Sequence, residues 1–131
     1  MPVYSDILLD HFHNPRNVGE LATANAVGDS SNGTCGDLMR LFLNIREGKV
    51  TEAQFMTLGC AAAIATGSML TEMIKGRTVE SALAITNEEV AAALGGLPPE
   101  KIHCSVLAEQ AMRAAVGNFR DGKTTRKTRR T

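Results

Sequence analysis

The sequence predicts an α+β domain in which a small antiparallel sheet of two or three strands carries several helices on one side. Three observations lead there. Leu38 to Ile45 and Val50 to Thr57 read as strands, with Glu47-Gly48 between them as a hairpin turn. Helix start and stop signals recur on both sides of that pair. The chain has 131 residues, 44% of them hydrophobic, which fits one domain with a core of its own.

In chain order, Ser5 or Asp6 can cap a first helix bearing Ile7, Leu8 and Phe12. It should stop near Asn14-Pro15, because a residue before proline avoids the helical region. A polar, glycine-rich stretch follows from Gly28 to Gly36, then the two strands. Ala61 to Lys75 reads as a helix, with Gly76 as its stop. Val79 to Ile85 is a short helix. Thr86 caps the next, and Glu89 three residues on makes a capping-box spacing. Gly95-Gly96-Leu97-Pro98-Pro99 is a rigid turn, and a last helix runs from about Cys104 to Phe119.

Composition narrows the class. Aromatics are 4% and Trp is absent, so the core is built from Ala, Leu, Ile, Val and Met. No apolar run approaches the roughly 20 residues of a membrane helix. The segment MPVYSDILLDHF lacks the basic and apolar parts of a secretory signal, which points to a cytoplasmic protein. Formal net charge is zero but unevenly placed. Lys123, Arg126, Lys127, Arg129 and Arg130 leave nine basic against fourteen acidic residues in positions 1–122, a net of −5. Residues 1–120 form the expected domain, and 121–131 a basic, disordered tail. No aromatic is interleaved with the tail's charges, which argues against nucleic acid as a partner.

The three cysteines, Cys35, Cys60 and Cys104, are too few and too odd for a disulfide framework. There is no CxxC. Cys35 lies between glycines, which lets the backbone bend around a ligand. In an extended segment, Asp37 would point to the same side as Cys35. Cys60 should sit at a helix N-terminus, where exposed N–H groups and the helix dipole favour a thiolate. Cys104 should open the last helix, with His103 and Lys101 beside it. Three thiolates with Asp37 or His103 suit zinc or an iron–sulfur cluster, and spacing alone does not decide between them.

Several motifs in order carry a resemblance. They are His11-Phe12-His13-Asn14-Pro15-Arg16-Asn17, Cys35-Gly36-Asp37 and Gly59-Cys60-Ala61-Ala62-Ala63-Ile64-Ala65. Leu70-Thr71-Glu72-Met73, Lys75-Gly76 and Leu97-Pro98-Pro99-Glu100-Lys101-Ile102-His103-Cys104-Ser105 follow. Over about residues 3–120 the chain resembles the IscU/NifU family of iron–sulfur scaffold proteins. The resemblance implies a three-stranded antiparallel sheet with helices on one side, the IscU/SufE-like fold. It implies a scaffold or carrier rather than an enzyme, holding a transient 2Fe–2S cluster on Cys35, Cys60 and Cys104. Asp37 and His103 are the further ligands it implies, with zinc as an occupant of the site before iron arrives. Cys104 is then the thiol that accepts persulfide sulfur, with Lys101 nearby.

The implied partners are a cysteine desulfurase, recipient apo iron–sulfur proteins, a ferredoxin or iron donor, and a second copy of the chain as a homodimer. Membrane and nucleic acid are not among them. Glu100 stands where many relatives have valine, and a charge there argues against docking of a dedicated Hsp70 chaperone. The alternative reading is a zinc-bound sulfur acceptor for a desulfurase. A hydrolase using Cys104 and His103 is disfavoured, because neighbours at a helix start rarely point at each other and no oxyanion motif is evident.

Overall fold

The computed structural model describes residues 4–32 and 36–122. Ser5 caps helix α1 (Asp6–His13) by accepting a hydrogen bond from the Leu8 amide, and the helix ends at Asn14, just before Pro15. Three strands follow: β1 (Ala26–Asn32), β2 (Asp37–Arg46) and β3 (Lys49–Leu58), antiparallel in the order β1-β2-β3. The hairpin between β2 and β3 turns at Glu47 and Gly48, both with positive φ. Helices α2 (Ala61–Ile74), α3 (Val79–Leu83) and α4 (Asn87–Ala93) come next. A 3₁₀ turn over Pro99–Lys101 then leads into α5 (Ile102–Arg120). The Thr86–Glu89 capping box forms at the start of α4.

Strand β1 was not legible as one, because Gly28, Asp29, Ser30, Ser31 and Asn32 are turn-forming residues. Tertiary packing overrides them. A Cβ at Gly28 would sit 2.1 Å from the Ala115 amide nitrogen, so α5 lies directly on this strand. Ser30 Oγ donates to the Leu107 carbonyl at 2.7 Å, and Asn118 Nδ2 donates to the Val27 carbonyl at 3.0 Å. These side chains tie the helix along β1. Helix α5 also begins two residues earlier than expected, at Ile102, because the proline pair nucleates a turn that runs straight into it.

The helices cover one face of the sheet, as the three-stranded α+β expectation required. Met39, Leu41, Leu43, Ala53 and Phe55 point into a core closed by Leu70, Ile74, Leu107, Ala111 and Met112. Phe55 is buried against Gly67 of α2, where a Cβ would fall 2.5 Å from the ring. Each fully buried side chain of this size contributes about 1.5–3 kcal/mol. The opposite face is covered only in part, by Leu21, Ala24, Val27 and Phe42. Leu38, Met56 and Leu58 remain exposed there. The free edge of β3 is occupied by the segment after α1, where Gly19 donates to the Phe55 carbonyl and the Phe55 amide donates to Asn17.

Among the described residues no helix is long and apolar enough to cross a membrane. The basic tail falls outside the described residues from 123 onward.

Candidate metal and sulfur site

Four of the sequence-selected residues meet at one end of the sheet. Asp37 opens β2, and the Leu38–Leu58 pair sets it beside Gly59 at the end of β3. Cys60 is the residue that caps α2, with extended backbone. His103 and Cys104 lie in the first turn of α5. Three separate elements thus deliver the donors. Cys35 lies in the 33–35 segment, outside the described residues.

The distances are short. The Cys60 and Cys104 sulfurs are 3.6 Å apart, and both cysteines are free. Two thiolates on one tetrahedral metal, with bonds of about 2.3 Å, would stand about 3.8 Å apart. Cys104 Sγ lies 3.9 Å from Asp37 Oδ2, and His103 Nε2 lies 3.8 Å from the same oxygen. Ligand atoms of Asp37, His103 and Cys104 all fall within 4.8 Å of one another. Among the described residues, the buried His103 Nε2 finds no hydrogen-bond partner, which is uncommon for a buried ring nitrogen. A cation at this point would take up that nitrogen's lone pair as a ligand. His103 and Cys104 do converge, contrary to the expectation for adjacent residues: Nε2 of the one and Sγ of the other stand 3.8 Å and 3.9 Å from the same Asp37 oxygen.

Electrostatics differ from the sequence expectation at Cys104. Its helix-start position and Lys101 suggested an easily formed thiolate. The side chain is fully buried, and that burial pushes the thiol far above the usual cysteine range. The Cys60 sulfur and the Asp37 carboxylate push the same way, and Lys101 only partly opposes them. Lys101 stands nearer Cys60, whose charge holds the ammonium above its ordinary value. A divalent cation among these anionic donors would reverse each of those pushes.

Two neighbours were not selected from sequence. Tyr4 and Leu97 pack against the cluster formed by Ala62, Ala63 and Cys104. Leu97 opens the motif that ends at Ser105 but was not chosen as a site residue, and Tyr4 lies in no quoted motif and is 100 positions from Cys104 in the chain.

Comparison with known proteins bears on this geometry. The NifU-like N-terminal domain profile matches residues 3–126. The chain belongs to that family. Within it, the chain is 52% identical over 117 residues to an Archaeoglobus fulgidus protein named iron–sulfur cluster assembly scaffold protein IscU 1, covering 89% of this chain and 76% of the relative. It is 49% identical over 124 residues to the scaffold protein IscU of Azotobacter vinelandii, covering 92% and 96%. The NifU-like N-terminal domain fold also appears in a Brucella abortus NifU-like protein. That structure aligns with a TM-score of 0.71, 18% identity, and coverage of 89% of this chain and 94% of that one.

Proposed function

We propose that this chain is a scaffold on which an iron–sulfur cluster is assembled and from which it is passed to other proteins. The observation that carries the reading is the meeting of Asp37, Cys60, His103 and Cys104 at one point in a NifU-like N-terminal domain. Its relatives are named iron–sulfur cluster assembly scaffolds. The finer reading is a 2Fe–2S cargo held by Cys35, Cys60 and Cys104, with Asp37 or His103 as the fourth donor. Three thiolates and one oxygen or nitrogen hold iron less firmly than four thiolates, which suits a cargo that must leave.

Sulfur arrives as a persulfide on a cysteine desulfurase. The Cys104 sulfur attacks the terminal sulfur of that persulfide, a new S–S bond forms on Cys104, and the donor cysteine leaves as thiolate. Lys101 beside Cys60 supplies positive charge at the mouth of the site. Recipient apo-proteins take the finished cluster.

The test is anaerobic reconstitution with iron and sulfide, followed by metal and sulfide analysis and the visible spectrum. Sulfur-to-iron charge-transfer bands should appear and be lost when Cys35, Cys60 or Cys104 is replaced by serine. Asp37→Ala should retain the bands and slow transfer to an apo-ferredoxin. A colourless protein that binds one zinc tightly and takes up no iron would reject the scaffold reading in favour of a zinc-bound sulfur acceptor.

A further inference from the structure

Cys104 poses a problem of access: its side chain is fully buried, yet a receiving thiol must meet a donor sulfur. The groups around it differ in how freely they can move. Ala62 and Ala63 belong to the first turn of α2 and are themselves fully buried. Thr66, one turn further, donates to both the Ala63 and the Cys104 carbonyls and fixes α2 against α5. Leu97 belongs to the link between α4 and α5, both of which are packed into the fold. Tyr4 is different. It precedes the Ser5 cap, lies outside α1, and is only partly buried.

Tyr4 also bridges two sets of residues. It packs on Ala62, Ala63 and Cys104, and on Leu8, Ala65 and Leu94. Its hydroxyl lies close enough to Lys101, Cys60 and Cys104 to sense their charges. Ser5, immediately after it, is anchored twice: Oγ accepts from the Leu8 amide and donates to the Leu94 carbonyl. Rotation at Ser5 would therefore lift the Tyr4 ring while α1 stays capped and docked.

We propose that Tyr4 is a lid over the Cys60–Cys104 pair, hinged at Ser5, which must lift before Cys104 can react. The purpose given to the lid rests on Cys104 as the receiving thiol; the lid itself is tested without any sulfur donor. The experiment is iodoacetamide alkylation of the full chain. Cys35, Cys60 and Cys104 fall on three different tryptic peptides, so mass spectrometry follows each thiol separately. Amide exchange in Leu41–Leu43 of β2 serves as the measure of general opening.

Tyr4→Ala should alkylate at Cys104 about fivefold faster or more, with exchange in β2 unchanged. Tyr4→Phe, which keeps the ring, should stay within about twofold of the parent. An unchanged Cys104 rate in Tyr4→Ala overturns the lid. So does a gain matched by equally faster exchange in β2, which would mean general loosening. The two readings fail separately. If the lid variant behaves as stated but a cysteine desulfurase loads sulfur on Cys60 alone, the lid stands and the acceptor assignment falls. If Cys104 takes sulfur but its alkylation ignores Tyr4, the reverse holds.

Discussion

One added methyl group at Gly59 should weaken metal binding by displacing Asp37 rather than deleting it. A Cβ at Gly59 would lie 2.9 Å from the Ala63 Cβ and 3.1 Å from the Asp37 Cγ. Both are inside the ordinary carbon–carbon contact of about 3.5–4.0 Å. Ala63 is fully buried in α2 and has no side-chain freedom, so the carboxylate is the group that yields. Asp37 Oδ2 stands 3.9 Å from Cys104 Sγ and 3.8 Å from His103 Nε2, and a shift of about half an ångström to one ångström breaks that convergence. Misplacing one supporting donor costs about tenfold in affinity, or about 1.4 kcal/mol. The overpacking itself costs about 1 kcal/mol of fold stability.

Zinc competition against a chelator reads the affinity, and urea unfolding reads the stability. Gly59→Ala should bind zinc about tenfold more weakly than the parent. In an Asp37→Ala background the same change should add less than about twofold, because the group it displaces is gone. An undiminished tenfold loss in that background, or no loss in the parent, would refute the argument that Gly59 acts through Asp37.

Two further outcomes follow from the packing. Gly28→Ala drives a Cβ to within 2.1 Å of the α5 backbone, so the helix must retreat; urea unfolding should show a loss of about 3 kcal/mol, against about 1 kcal/mol for Gly48→Ala, where the turn is open and only positive φ is strained. His11 is buried against Ser68 Oγ at 2.7 Å, and burial first, then Arg16, lower its pKa. The unfolded chain therefore binds a proton there that the folded chain resists, and stability should fall as pH drops below about 6.5. His11→Gln should flatten that slope in urea midpoints measured from pH 7.5 to 5.5, and an unchanged slope would count against it.

Much of the fold was legible because its signals are local. Ser5 and Thr86 cap helices through their own side chains, and the Asn14-Pro15 pair ends α1 by sterics that act within two residues. Glu47-Gly48 sets the hairpin in the same way. Strand β1 was missed because its stability comes from α5, through contacts 77 and 91 residues away in the chain, and not from its own residues. The site divides along the same line. Residue types and motifs picked out Asp37, Cys60, Lys101, His103 and Cys104, and four of these converge. Burial of Cys104 was not legible, because it depends on which side chains close over it. That closure also reversed the expected ease of forming its thiolate. Tyr4 escaped notice for the same reason, since its role exists only through contact.

The side chains proposed to hold the cargo come from positions 37, 60, 103 and 104, and the Asp37–Cys104 pair alone spans 67 residues of chain. An unfolded chain cannot present them together, so bound cargo acts as a ligand of the folded state only. At a free concentration a hundred times its dissociation constant, such a ligand adds about 2.7 kcal/mol to stability. Loading the site therefore tightens the whole domain, and delivery returns that free energy. The empty chain after delivery is the more readily opened one, and each new round of loading must draw it back to the closed form.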